Sequence, residues 1–498
     1  MNSVKTLSSS LVINSAPRIL AMCVLSLSLL LTLLLVISFM PIALDNYEIT
    51  RTIREIAANL TDSLGSAIVR LEEHFWFYIP LGIVGIWRWA IWGLKKLCAS
   101  FYKPIQVNFP SYLHHTTLSI ITPVYNEDPK TFKIALSSWE ENKPDELIAV
   151  IDQRDKVCIE VFKEFSKDKG WMKLIVTSKP GKRAALADGI LEARSTIVAL
   201  VDSDTIWGHN VKEKLLAPFN DPNIGGVTPR NHPIKRQSIW EKMTDIFWDM
   251  RNYYDLPSQT AMGCELTCLT GRTSLYRRQI ILPKLDHFLN EILLGKRKES
   301  GEDKCLTRLV QQQGWKTYYQ STAVIYSVAA SDFKTFVTQR LRWTRNSHNS
   351  DLVSLIDGWA WKHPYLAFYM IDRFISTFTL FLGPIFFGIA IYLHQWIIVL
   401  AILGLWMVGR GIKILPHLKR RPEDVWLVPV YVGINFFIAI IKLYALVTIR
   451  EQKWIREDEQ QHKKRHDQQR TIFEKIKDII LTTEIMAGIV IFVVFIIP

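Results

Sequence analysis

Five nearly uninterrupted apolar blocks constrain this chain more than any other feature: Ile19 to Leu44, Phe75 to Leu94, Phe374 to Leu393, Trp396 to Gly409 and Ile479 to Ile497. A helix needs roughly 20 apolar residues to cross the hydrocarbon core of a bilayer, and blocks of this length are expected to span one. They lie towards the two ends of the sequence, with a long stretch of mixed composition between them. A chain of 498 residues also exceeds what one compact core usually holds. The expected division is an amino-terminal membrane region (1–112, two spans), a cytosolic domain (113–330), an interfacial helical segment (331–362) and a carboxyl-terminal membrane region (363–498). The first block is too long for a signal-peptide core, so it reads as a true span.

A sixth block, Val425 to Ile449, is long enough to cross but runs into the basic stretch Arg450 to Lys477. Crossing would carry those cations outside, against the positive-inside rule. A re-entrant or interfacial pair of helices broken around Pro429 and Gly433 is therefore expected, giving five spans, with six as the alternative. Lys95-Lys96 and the run from Arg410 to Arg421 mark the cytosolic side. Arg88, inside the second block, has two readings: snorkelling to the headgroups between tryptophans, or facing a polar conduit.

The net charge of +13 suits an anionic small substrate or an acidic lipid surface. No nucleic-acid module is recognisable, so nucleic acid is not expected as a partner. The six cysteines, at 23, 98, 158, 264, 268 and 305, lack paired zinc-site spacing and read as packing residues in a reducing compartment.

From Leu118 the pattern changes to short apolar strands alternating with amphipathic helices, the mark of a parallel α/β sheet. Strands are expected at Ser119–Val124 (followed by Tyr125-Asn126-Glu127), Leu147–Asp152, Lys173–Thr177 and Ile197–Val201. The last runs into Asp202-Ser203-Asp204. Such sheets bind ligands at the carboxyl ends of their strands, so Asp152, Asp202 and Asp204 could meet one nucleotide there. An Asp-x-Asp pair offers hard oxygen ligands for Mg2+ or Mn2+, although alone it is equally an acidic turn. Gly181-Lys182-Arg183 opens an Ala-rich helix whose amino terminus and cations suit phosphate oxygens. Thr267 to Arg277, containing Gly271 and Arg272, reads as strand, turn and strand. Glu302 and Asp303 start a helix running from Cys305 to Gln313, where carboxylates also serve as caps. Gln339, Arg342 and Trp343 sit in a basic amphipathic segment just before the membrane blocks.

The ordered set Asp152, Asp202-x-Asp204, Asp303 and Gln339-x-x-Arg342-Trp343, between two membrane regions, resembles the processive family 2 glycosyltransferases, which include the cellulose, chitin and hyaluronan synthases. The likeness covers roughly residues 75 to 498. Gly181-Lys182-Arg183, Gly301-Glu302-Asp303-Lys304 and Lys453-Trp454-Ile455-Arg456 look like hyaluronan synthases. Thr270-Gly271-Arg272, Gly85-Ile86-Trp87-Arg88-Trp89 and Ile371-Asp372-Arg373 look more like the alginate (mannuronan) synthase subunit.

The resemblance implies a GT-A-like (Rossmann-like) cytosolic domain inserted between transmembrane regions of a multi-pass plasma-membrane protein. It implies a UDP- or GDP-sugar donor, a growing polysaccharide chain, contact with membrane lipids and room for export subunits. Asp152 would meet the nucleobase, Lys182 the diphosphate, Asp202 the ribose or diphosphate, and Asp204 the Mg2+ or Mn2+ ion. Asp303, with Glu302 beside it, would supply the general base. Gln339, Arg342 and Trp343, with Gly271 and Arg272, would form the acceptor and pyrophosphate site. Arg88, Asp372 and Arg373 would line the polymer path, unless Asp372 and Arg373 simply pair with each other. The implied activity is polymerisation of sugar into a β-linked polysaccharide, exported through the protein's own channel. A non-processive transferase acting on a lipid, and an inactive nucleotide-sugar-binding scaffold, are the competing readings.

Overall fold

The computed structural model describes residues 79–107, 116–293 and 296–449. The expected spans at 19–44 and 479–497, and the segment around Trp454, lie outside the described residues.

Short apolar runs separated by helices form ten strands: β1 (Leu118–Val124), β2 (Glu146–Asp152), β3 (Met172–Thr177), β4 (Ile197–Val201), β5 (Ile206–Trp207), β6 (Ile224–Pro233), β7 (Thr273–Arg277), β8 (Ile292–Leu293), β9 (Lys296–Arg297) and β10 (Lys316–Ser327). Eight make one mixed sheet, ordered β3-β2-β1-β4-β7-β6-β10-β5, and β8 and β9 form a separate hairpin. The four strands expected from the sequence run parallel to one another. Beyond them β7 runs antiparallel to both β4 and β6.

Layering follows from the side-chain period of two. In β4 all five residues are buried; Ile197, Ala199 and Val201 enter the core on one face, Val198 and Leu200 the core on the other. A strand covered on both sides has no need of polar alternation. Its first polar residues are therefore those that emerge at its carboxyl end.

Ten helices matter here: α1 (Ile79–Ser100), α2 (Pro129–Glu141), α3 (Lys156–Phe165), α4 (Lys182–Glu192), α5 (Ile239–Met250), α6 (Glu302–Gln312), α7 (Phe333–Ile356), α8 (Pro364–Tyr392), α9 (Trp396–Lys413) and α10 (Val428–Val447). Helix α4 lies so close to the sheet that a Cβ on Gly189 would stand 2.3 Å from the Ile121 side chain. This close approach fixes the amino terminus of α4, and with it Lys182.

Two local expectations differ from the structure. Only Thr273–Arg277 of the Thr267–Arg277 segment is a strand. The preceding backbone N–H groups donate to side chains instead: Thr267 to Gln259, Leu269 to Thr307 and Thr270 to Thr228. With those donors satisfied there is no ladder to join. Helix α6 begins at Glu302 rather than Cys305, and its cap is Gly301, in the left-handed region at φ 78°. Asp303 therefore does not cap the helix, and its carboxylate projects from the first turn.

Among the described residues three helices, Pro364–Tyr392, Trp396–Lys413 and Pro422–Val447, are long and apolar enough to cross a membrane. The break expected around Pro429 and Gly433 is not present: the last of them joins the turn Pro422–Leu427 to α10, which runs unbroken through Gly433, and Pro429 lies in its first turn, where a missing N–H costs no helical hydrogen bond. Arg88 and Lys95 of α1 both pair with Asp372 of α8. Asp372 and Arg373 do not pair with each other, because adjacent helical residues project about 100° apart; Arg373 turns instead to Asp351 of α7, at 2.8 Å.

A buried ion network joins the domain to the segment between α9 and α10. His417 lies between Asp249 (2.7 Å) and Asp424 (3.0 Å), and Arg420 reaches both Asp245 and Asp249 at 2.7 Å. Arg236 adds contacts to Asp245 and Asp424. His232, Asp245 and Asp249 have metal-like spacing, but the guanidiniums already balance these carboxylates, so the group is a structural ion network.

Candidate active site

The carboxyl ends of β1, β2 and β4 open on one edge of the sheet. Neighbouring strands are about 4.8 Å apart, so Asp152 at the end of β2 stands about 10 Å from the end of β4, with β1 between them. Asp152 is engaged by Arg154, whose Nη2 approaches at 2.8 Å and whose Nε and backbone N–H donate at 2.9 Å. These hydrogen bonds hold its carboxyl below the usual range despite burial. The Arg154 guanidinium also lies over the Tyr125 ring, 4.8 Å from its centroid.

Lys182 is the hub of the site. Its Nζ contacts Asp202 Oδ1 and Glu302 Oε1, each at 2.6 Å. Burial opposes the charge on Lys182, but the two carboxylates overcome it and raise its pKa. The same ion pairing holds Glu302 well below the usual carboxylate range, again against burial. Lys182, Asp202, Glu302, Asp303 and Gly271 line one cleft, with Pro123 and Leu306 among its walls. A Cβ on Gly271 would stand 3.7 Å from both Asp303 Oδ2 and Lys182 Nζ, so these groups share a small space.

Asp303 is held by two donors. The Lys304 backbone N–H donates to Oδ1 at 2.8 Å and the buried Cys268 thiol to Oδ2 at 3.3 Å. Burial first, then the Asp303 charge, push the Cys268 thiol upward, so it stays protonated and can donate.

Asp204 is held well above the usual carboxylate range, by burial first and then by the charges of Asp202 and Glu127. Glu127 joins the group through Ser203, whose hydroxyl donates to it at 2.7 Å. A half-buried carboxylate facing two others favours a compensating cation, and an all-oxygen donor set suits Mg2+ or Mn2+. The residues present thus fit such an ion.

Helix α7 approaches the cleft through Trp343, which lies under the Arg272 guanidinium next to Gly271. Gln339, Arg342 and Trp343 fall at i, i+3 and i+4 on this helix and share one face. Arg342 contributes to the lowering of Glu302 and to the field at Arg272. The half-buried Arg272 guanidinium lies over two indoles, 4.4 Å from the Trp248 ring centroid and 5.2 Å from that of Trp343. Burial lowers its pKa, countered by Asp204 and Asp202. Helix α7 itself packs on α10 and α6.

Residues 115–346, which contain nearly all of these groups, match the profile described as "Glycosyltransferase like family 2". This region is a family 2 glycosyltransferase domain. The chain is 25% identical over 401 residues to the hyaluronan synthase of Streptococcus pyogenes serotype M3, covering 78% of this chain and 94% of that one. It is 26% identical over 351 residues to an N-acetylglucosaminyltransferase of Rhizobium meliloti, covering 68% and 80%. Among solved structures, a mannosyltransferase from Pyrobaculum calidifontis, in complex with GDP-Man and Mn2+, shares the fold with TM-score 0.50 at 17% identity, covering 73% of this chain and 98% of that one. The domain and this solved structure thus share the GT-A-like fold.

Sequence reasoning passed over Glu127, Arg154, Cys268 and Trp248 at this candidate site. Glu127 had a signal, since it follows a strand that ends on the same edge as Asp152 and Asp202. Trp248 had none; it is one of several aromatics on α5, and only the fold brings it to Arg272.

Proposed function

We propose that the chain is a processive, inverting glycosyltransferase that polymerises sugar from a nucleotide-sugar donor into a β-linked polysaccharide and exports it through its own membrane helices. The observation that carries this reading is the cleft in which Lys182 joins Asp202 to Glu302 beside Asp303, with Arg272, next to Gly271 of its wall, lying over Trp343 of the helix that also carries Gln339 and Arg342. Similarity to a hyaluronan synthase over most of both chains supports the processive form.

Asp303 accepts the proton of an acceptor hydroxyl as its oxygen attacks the anomeric carbon, and the bond from that carbon to the diphosphate breaks on the opposite face. One displacement inverts the centre, so no covalent sugar intermediate is required. Glu302 keeps Lys182 charged and aimed towards the donor phosphates. Asp152 and Arg154 sit where a nucleobase would lie. Asp204, with Asp202, would hold Mg2+ or Mn2+, which supplies charge neutralisation for the leaving diphosphate. Arg342 faces phosphate, and Trp343 offers an aromatic face to the terminal acceptor sugar. The accompanying topology has five crossings, at about 19–44, 75–94, 374–393, 396–409 and 479–497, with 425–449 interfacial and the domain cytosolic. Arg88, Asp372 and Arg373 then stand along the product's path.

The test incubates the purified full-length protein in lipid with Mg2+ or Mn2+ and a panel of UDP- and GDP-sugars. High-molecular-weight polymer with stoichiometric nucleotide release is expected. A single-sugar lipid product would replace this reading with a non-processive transferase, and donor binding without nucleotide release would reduce the protein to a scaffold.

A further inference from the structure

Three elements that are distant in sequence meet in a buried chain of ions. Lys304, next to Asp303 in the first turn of α6, places its Nζ 3.1 Å from Asp351 Oδ1 on α7. The other oxygen of Asp351 lies 2.8 Å from Arg373 Nη1 on the apolar helix α8. Asp351 is fully buried and the Lys304 side chain nearly so, at 7% exposure.

Exposed ion pairs contribute little, and apolar side chains of similar volume would join buried elements at lower desolvation cost. What ions add is direction: one carboxylate with one oxygen on each cation allows few relative positions of α6, α7 and α8. Other ties to this turn run to the donor side. Arg183 donates to the Ser300 carbonyl at 3.0 Å, and Lys182 holds Glu302. Ser300 also donates to Asn346 of α7 at 2.9 Å. Among these ties, Lys304 is the one that continues through α7 to a membrane helix.

We propose that Lys304 is a positioning residue: through Asp351 and Arg373 it registers the Asp303 carboxylate to the helix along which the product leaves, coupling proton removal to retention of the growing chain. This rests on the reading of Asp303 as the base. Fixing Asp303 from the membrane side would keep the acceptor hydroxyl in reach after each transfer. A turn free to drift would lower turnover and release shorter chains.

The experiment compares Lys304→Met, Lys304→Arg, Arg373→Gln and Asp303→Asn in the full-length protein, measuring kcat, donor KM, product length and thermal unfolding. Lys304→Met should lower kcat about 10- to 100-fold with donor KM within about 2-fold, and Lys304→Arg should restore it to within about 3-fold of the parent. Arg373→Gln leaves the Lys304–Asp351 pair intact, so it remains informative if Lys304→Met does not fold; it should shorten the product with donor KM within about 2-fold of the parent. Near-parental kcat and product length in Lys304→Met overturn the proposal. So do unchanged product length in Arg373→Gln, or a joint loss of kcat, donor affinity and thermal stability in Lys304→Met that Lys304→Arg does not rescue. Activity retained by Asp303→Asn would instead overturn the assignment of the base.

Discussion

The Arg272 guanidinium lies over the Trp343 indole, 5.2 Å from the ring centroid, and so ties the turn before β7 to the helix that carries Gln339 and Arg342. A part-buried cation against an aromatic face contributes on the order of 1 kcal/mol. The contact joins the half of the cleft that holds the Asp-x-Asp pair to the half expected to hold the acceptor. Trp343→Ala removes both the stacking partner and the proposed sugar platform. Product length and rate should both fall, with donor affinity changing less than about 3-fold, measured by size-exclusion analysis of labelled polymer and by donor titration.

Asp303→Asn keeps the volume and one acceptor oxygen but cannot take a proton. Transfer should drop by about 100- to 10,000-fold while the donor still binds with near-parental affinity, read from nucleotide release and calorimetry. Near-normal polymer yield would mean that the base lies elsewhere.

Lys182→Met leaves the part-buried Asp202 and Glu302 without their shared cation. Breaking a fully buried pair from one side costs about 3–5 kcal/mol and a part-buried one less, so a modest fall in unfolding temperature and a loss of donor binding are expected together. Adding Glu302→Gln to Lys182→Met removes one stranded carboxylate and should recover part of the stability without the binding.

Asp204→Asn lowers the charge that a divalent ion would neutralise. Donor affinity should lose most of its dependence on added Mg2+ or Mn2+ when measured over a metal titration. An unchanged metal response would remove Asp204 from the ion site.

Asp245 gives a pH prediction. Burial opposes its ionisation, yet the His232 contact and the Arg420 and Arg236 guanidiniums hold it at about 2, below the ordinary aspartate range. Because the folded value is depressed, the stabilisation is present above the unfolded value, near 4, and is lost as pH falls towards 2; it amounts to about 2 kcal/mol. Thermal stability in detergent should drop across that window, and Asp245→Asn should show a shallower drop from a lower starting point. A variant with the parental acid slope would exclude Asp245 as the source.

Much of this architecture was legible in the residues. The strands β1, β2 and β4 announce themselves because each is buried on both faces and is mostly apolar, and Asp152, Asp202 and Asp204 mark where β2 and β4 emerge. The antiparallel insertion of β7 between β4 and β6 was not legible, since strand order depends on long-range pairing that no local pattern encodes. Nor was the irregular path of Thr267 to Arg272, whose N–H groups are taken by Gln259, Thr307 and Thr228. The aligned pair Asp372-Arg373 invited an ion pair between neighbours, which helical geometry forbids.

By itself, then, the sequence determined which chemical groups are present, the edge of the sheet on which the aspartates emerge, and which stretches seek an apolar surrounding. These follow from local periodicity and from side-chain chemistry, which travel with the residue. Only the tertiary structure decided the partners: Lys182 between Asp202 and Glu302, Arg272 over Trp248 and Trp343, Arg154 on Asp152, Asp372 with Arg88 and Lys95, and Asp351 between Lys304 and Arg373. An ion pair is strong only where packing excludes water and fixes two side chains a few ångströms apart, and that packing is a property of the whole chain.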